Sequence, residues 1–249
     1  MTERLRTFAL HAERLHLDSV WRRTSAVLDR LERRGGRATM FVHPFEAIES
    51  GVSLGPRVAQ LLDRGHEVAQ HTHFYEARSG DARGKLRTDL DPANIRRNLD
   101  RDLAYLRSLG ADPRGFTSGG WVIEPEVEAW LADHGFAYDC SFRSFDLRYP
   151  SAAAAPGGGY GRPELAGPLL RLPTTASLRG AVWSLAGRRT PSLDVGDLTY
   201  SLAYSHDYDL LVPVRALASA LVVEGWSRGP GRWITAAELA ERIREHDRG

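Results

Sequence analysis

The sequence has one cysteine, Cys140, and one lysine, Lys85, among its 249 residues. A single thiol excludes an intramolecular disulfide and any metal cage built of cysteines, and Cys140 reads as a small buried apolar residue on a strand. An excess of one charge sign is also lacking. The 33 basic and 32 acidic side chains leave a net charge of +1, without the basic surplus that a nucleic-acid partner requires. The arginine-heavy basic set, taken with the abundance of Ala and Gly, reads as the coding bias of a GC-rich genome. No stretch is apolar enough to cross a bilayer. Glu3, Arg4, Arg6, Glu13 and Arg14 interrupt the start of the chain, where a secretory signal needs an unbroken apolar run. A cytoplasmic protein without a membrane partner is therefore expected. What is present, 42% hydrophobic and 26% charged residues, is the composition of a soluble globular enzyme or binding domain.

Strand and helix patterns alternate along the chain. Residues 6–12 read as a strand, and Asp18 is expected to cap a helix that turns Val20, Val27, Leu28 and Leu31 inward before Gly35 and Gly36 end it. Strands are predicted at 37–43 and 66–73, with a helix over 56–64 between them. The next helix carries the clearest signals: Asp91 as cap, Pro92 at the first position, Ile95, Leu99, Leu103 and Leu106 at helical spacing, and Gly110 past the end. Short strands at 114–117 and 136–141 flank a helix bearing Val127, Trp130 and Leu131. From 144 to 168 the periodicity fails, and the Ala/Gly/Pro run 151–161 has too few large side chains to pack a core, so a flexible loop is predicted. Strands at 169–175, 198–206 and 232–234 and a helix at 213–223 follow, and Thr235 with Glu238 forms a capping box that opens the terminal helix. This alternation predicts a parallel sheet, and about eight strands in one α/β domain spanning 1–249 point to a closed barrel.

Polar residues collect at the carboxyl ends of these strands, the rim on which α/β folds assemble their sites. They are His11 with Glu13, His43, His71 with His73, Thr117 with Ser118, and His206 with Asp207. His11 and Glu13 lie two apart on one strand, as do His71 and His73, so each pair shares a face. Imidazoles with one carboxylate and a position left for water make a catalytic zinc set; the alternative is a hydrogen-bonded rim. His206 and Asp207 read either as a catalytic pair or as a turn in which Asp207 caps local backbone. Trp121, Phe74 and Tyr75 either wall a pocket or pack. His43 lines the site from the second strand, and His16, His134 and His246 read as surface or helix-end residues.

Thr7-Phe8, the block Gly65-His66-Glu67-Val68-Ala69-Gln70-His71-Thr72-His73, Gly115-Phe116-Thr117-Ser118-Gly119-Gly120-Trp121, Tyr138-Asp139-Cys140-Ser141 and Tyr204-Ser205-His206-Asp207 resemble, in that order, the successive motifs of the polysaccharide-deacetylase (NodB-homology) family. The resemblance runs over nearly the whole chain, and its most specific part is the Gly-His-Glu-Val block leading into His71 and Thr72. It implies an α/β fold, a distorted (β/α) barrel of about seven or eight strands, a divalent metal, zinc foremost, and hydrolysis of an acyl-nitrogen bond. It implies His71 as metal ligand, Glu13 as the metal carboxylate, and His206 as general acid, oriented by Asp207 or Asp209.

The chain departs from the family pattern in three places. Ala9 and Leu10 follow Thr7-Phe8 where the family has two acids, so only a longer first strand brings His11 and Glu13 to those positions. Tyr75 stands where the second histidine ligand belongs, leaving that role to Tyr75 or, as we read it, to His73. Thr117 replaces the arginine that pairs with an acidic base; a histidine base at His11 is better served without it, since an arginine would repel the imidazolium. Backbone amides at Gly119 and Gly120 are candidates to receive an oxyanion, with Trp121, Tyr75 and His43 lining the substrate. The implied activity is removal of an acyl group, acetyl foremost, from nitrogen of a small cytosolic amino sugar or biosynthetic intermediate. Ureide or cyclic-amide hydrolysis is the alternative within enzymes, and an inactive barrel that binds a ligand or protein is the alternative of a different class.

Overall fold

The computed structural model describes residues 2–75, 90–144, 161–185 and 191–247. Its first strand, β1 (Glu3–Ala12), begins earlier than its apolar run because Glu3 still pairs with Leu198. In α1 (Asp18–Glu32), Val20, Val27, Leu28 and Leu31 are buried as their spacing predicts. Asp18 does not cap it: Leu17 holds the cap position, and the Asp18 carboxylate pairs with Arg57. After β2 (Thr39–Val42) comes α2 (Phe45–Ser50), too short to show a helical period and absent from the sequence reading, then α3 (Gly55–Asp63) and β3 (Glu67–Thr72). The next helix, α4 (Pro92–Ser108), starts as expected. Asp91 accepts the Ala93 and Asn94 N–H groups at 2.9 and 3.2 Å, and Ile95, Leu99, Leu103 and Leu106 are buried.

Beyond β4 (Gly115–Ser118), α5 (Pro125–Asp133) and β5 (Tyr138–Asp139), residues 145–160 of the expected loop lie outside the described residues. Its end is a strand rather than a loop: β6 (Glu164–Ala166) pairs antiparallel with β7 (Leu169–Arg171). There follow β8 (Ala176–Ser177), α6 (Leu178–Leu185), β9 (Leu193–Val195), which hairpins onto β10 (Leu198–His206), then α7 (Pro213–Arg228), β11 (Arg232–Trp233) and α8 (Ala236–Asp247). The capping box before α8 is present, with Thr235 N–H on Glu238 at 2.7 Å and Glu238 N–H on Thr235 Oγ1 at 3.2 Å.

The strands form one sheet in the order β6-β7-β5-β4-β3-β2-β1-β10-β8, with β11 on β1 and β9 on β10. From β7 round to β8 every ladder is parallel. The two ends of that path, β7 and β8, belong to one chain segment, residues 169–177. Along it Leu172 N–H donates to Asp139 C=O at 2.8 Å, and Thr175 N–H donates to Leu202 C=O at 2.9 Å. The sheet therefore curls shut through one irregular segment, which gives a distorted (β/α) barrel.

Alternation sorts the faces. Leu5, Ala9, Phe41, Ala69, Tyr138 and Tyr200 fill the interior, while Phe8, Leu10, Met40 and Val42 pack outward against the helices. Cys140 is buried among the interior set. At the amino end Glu67 accepts from Tyr138 OH (2.5 Å), Thr39 Oγ1 (2.8 Å) and the Ala237 N–H of α8 (3.0 Å). Nearby, His66 accepts the Ala38 N–H at 3.1 Å and faces Glu32 at 2.8 Å. The two most distinctive polar residues of the Gly-His-Glu-Val block thus lock the bottom of the barrel, and the chemistry is left to the opposite rim. Among the described residues no helix is long and apolar enough to cross a membrane.

Candidate metal centre

Because neighbouring ladders run parallel, their register sets which side chains meet at the rim. His11 pairs with Phe41 on one side and His206 on the other, and His71 pairs with Thr117. Glu13 and His73 stand one same-face step beyond His11 and His71. Glu13 Oε1 lies 3.6 Å from His71 Nε2 and 3.5 Å from His73 Nε2, and those nitrogens are 3.1 Å apart. A tetrahedral zinc ion with bonds of ~2.0–2.1 Å holds its ligand atoms roughly 3.3 Å apart, so the triangle has the size of one face of that tetrahedron. Among the described residues it is the only group of three such side chains close enough to share an ion.

The three donors are also held in binding protonation states. Burial lowers the pKa of His71 and of His73 below the ordinary histidine range, so both are neutral near pH 7. Burial alone would raise Glu13, but the facing His71 and His73 hold its carboxyl well below the usual carboxylate range. His71 Nδ1 lies 2.8 Å from the Thr117 carbonyl, to which it donates, and this leaves its Nε2 lone pair toward Glu13 and His73. Two imidazole nitrogens and a carboxylate at such separations can hold one another by hydrogen bonds or share a common cation.

His73 belongs to the triangle, and the Tyr75 ring stacks on His73 at 5.3 Å between centroids. The His73 ring in turn sits over Gly119, where a Cβ would lie 2.2 Å from ring atoms, so the glycine makes room for it. Trp121 adopts φ 60°, a left-handed conformation rare for a bulky residue, and packs on Tyr204 and His11 with centroids 5.1 and 6.0 Å away.

His11 is buried between His71 (4.8 Å), Tyr204 (4.9 Å) and His206 (5.3 Å). Burial, then His71 and His206, push its pKa well below the usual range and keep it neutral. His206 places Nε2 3.7 Å from Glu13 and Nδ1 3.7 Å from Asp209, with the Tyr208 ring stacked on it. Of the two acids expected to orient it, Asp209 is the one that faces the ring, and Asp207 follows the alternative reading, serving backbone N–H groups. It accepts the Arg14 N–H at 2.7 Å and the Tyr208 N–H at 2.8 Å, and burial raises its pKa to about 7. His43 is buried, with Nδ1 3.1 Å from the His71 carbonyl and 3.4 Å from Asp102.

Asp102 and Tyr208 are not singled out by the sequence, and Tyr204 enters there only as the first residue of the Tyr204-Ser205-His206-Asp207 motif, without a role. Tyr204 was readable, since Tyr200, Leu202, Tyr204 and His206 alternate on one face of β10; Asp102 is one charged residue among many on α4 and carries no signal. A cavity of about 1470 Å³ opens beside His206, Tyr204, Tyr208 and Asp209, and the three metal-ligating candidates lie outside its lining.

A model of the polysaccharide-deacetylase family matches residues 15–138. Together with the barrel and its motifs, the match places the chain in the polysaccharide-deacetylase (NodB-homology) superfamily, as a divergent member. Among solved structures it is similar to a Mycobacterium smegmatis protein assigned as a polysaccharide deacetylase (TM-score 0.66, 18% identity, 99% of this chain and 92% of that one). It is also similar to the peptidoglycan deacetylase PdaC of Bacillus subtilis (0.59, 11%, 99% and 94%) and to the PuuE allantoinase (0.61, 14%, 96% and 90%). At such identities the likeness shows the fold. No curated protein matches the sequence significantly.

Proposed function

We propose that the chain is a divalent-metal-dependent hydrolase that removes an acyl group, acetyl foremost, from nitrogen of a small acylated amine such as an amino sugar, with zinc as the ion. The observation that supports it is the Glu13, His71 and His73 triangle, of a size and ionisation suited to zinc, on the carboxyl-end rim of a deacetylase-family barrel. When bound there, the ion supplies Lewis acidity toward a carbonyl oxygen and toward water.

The chain's own residues would move the protons. His11 is neutral, and among the described residues no hydrogen bond engages its ring, so it is the group to accept a proton from the attacking water. His206, with Asp209 facing its Nδ1, gives a proton to the departing nitrogen. Thr117 in place of the family's arginine keeps a cation away from the imidazolium that His11 becomes. Backbone at Gly119 and Gly120 is proposed to receive the oxyanion, and Trp121 and Tyr75 to wall the substrate, whereas His43, buried behind His71, supports the site from within.

Elemental analysis of chelator-free protein, followed by amine release from N-acetyl, N-formyl and ureide small molecules, tests this reading. One ion per chain is expected, and His71→Ala should lose both the ion and the activity. His206→Ala should keep the ion and lose ~10²–10⁴-fold in turnover, the usual contribution of a general acid. Protein that takes up no ion at micromolar supply would leave a ligand-binding barrel. Release from ureides alone would move the substrate class to theirs.

A further inference from the structure

Asp207 is wholly buried in the turn after β10, yet its carboxylate serves the chain that leaves β1. It accepts the Arg14 N–H at 2.7 Å, with the adjacent Glu13 N–H also favouring its charge, while its other oxygen accepts its neighbour Tyr208 N–H at 2.8 Å. A turn-capping aspartate needs only the last of these. The β1–β10 ladder stops at the pair His11 and His206. Beyond that pair, Asp207 carries on the connection between the segment holding Glu13 and the segment holding His206, whose Nε2 is 3.7 Å from the Glu13 carboxylate.

We infer that Asp207 is the positioning residue of the metal centre: by bracketing the Glu13 and Arg14 backbone it fixes the Glu13 carboxylate relative to His71, His73 and His206, and so sets metal affinity without touching the ion. The inference rests on the metal reading proposed above. Asp209 has a separate task. It faces His206 and pairs with Arg215, and it acts on the proton donor rather than on the ion.

The test compares wild type, Asp207→Ala, Asp207→Asn and Asp209→Asn, with Co²⁺ as the probe. It reads the dissociation constant by chelator competition, the d–d absorption of the bound ion, and amide hydrogen exchange at Glu13 and Arg14. Asp207→Ala should weaken Co²⁺ about 10–100-fold, the range found for residues that orient metal ligands, shift the absorption band and speed exchange at both amides. Asp207→Asn keeps an acceptor oxygen but not the charge and should fall between, so it decides the matter should the alanine variant not fold. Asp209→Asn should bind Co²⁺ as wild type does. Wild-type affinity and spectrum in both Asp207 variants overturn the inference. Wild type that binds no Co²⁺ defeats the metal reading itself, and the affinity claim with it, whereas unchanged exchange in the Asp207 variants shows that no bracket exists, so the two failures are told apart.

Discussion

The His73 ring occupies the space that a Cβ on residue 119 would need, 2.2 Å from ring atoms and well inside contact distance. A methyl group there must displace the ring or open the turn. Since His73 Nε2 forms one corner of the ligand triangle, and ligand distances tolerate only about ±0.2 Å, Gly119→Ala is expected to fold and to bind Zn²⁺ at least ~10-fold more weakly, the size of loss that follows from a misplaced ligand. Chelator competition reads this directly, and a wild-type constant would remove His73 from the ligand set. Individual residues were legible in the sequence where alternation fixed their side: Glu13 follows His11 by two, His73 follows His71 by two, and each pair shares a face. Spacing could not rank Asp207 against Asp209. Both trail His206 within one turn, and only the hydrogen bonds to Arg14 and the approach of Asp209 to Nδ1 separate them.

Among elements, β10 and α4 were legible because each carries a long enough signal. The nine residues of β10 alternate throughout, and α4 combines a proline-following cap with four apolar residues at helical spacing. The short elements α2, β6 and β9 have too few residues to display a period, and closure through residues 169–177 depends on backbone hydrogen bonds that no side-chain pattern records. At the end of β5, Asp139 is buried and accepts both the N–H and the hydroxyl of Ser141, whose Oγ in turn accepts the Ser118 N–H on β4. Burial raises Asp139 from an ordinary 3.8 to about 7. A carboxyl raised on folding supports the fold only while protonated, so its contribution is intact below pH ~4 and is lost as pH climbs through about 7, on the order of 4 kcal/mol in full. Asp139→Asn retains the acceptor without the charge. Its Tm should exceed that of wild type by several degrees at pH 8, and the two should converge near pH 4. A variant less stable than wild type at pH 8 would mean that the ionised carboxylate is favourable where it lies.

For the molecule as a whole, the proposed ligand triangle ties β1, through Glu13, to β3, through His71 and His73, across the intervening β2. Nothing in the framework of the described residues requires an ion, since the parallel ladders are joined at their two ends by the segment 169–177 and the interior is filled by aromatic and small side chains. An ion bound at the proposed site would therefore add to an existing fold, and stability should grow with its concentration by mass action, about 2.7 kcal/mol at a hundredfold excess over Kd. For a chain of this length each kcal/mol is roughly 2–4 °C in Tm. Thermal unfolding of wild type with Zn²⁺ against chelator should accordingly differ by about 5–10 °C, and His71→Ala should unfold at one temperature in both solutions. Loss of the shift in that variant, with retention of its far-ultraviolet circular dichroism, ties the ion to the rim. A shift that survives His71→Ala would put the ion elsewhere on the chain, and a wild type indifferent to Zn²⁺ would mean that the three donors are held together by the barrel for a purpose other than chelation.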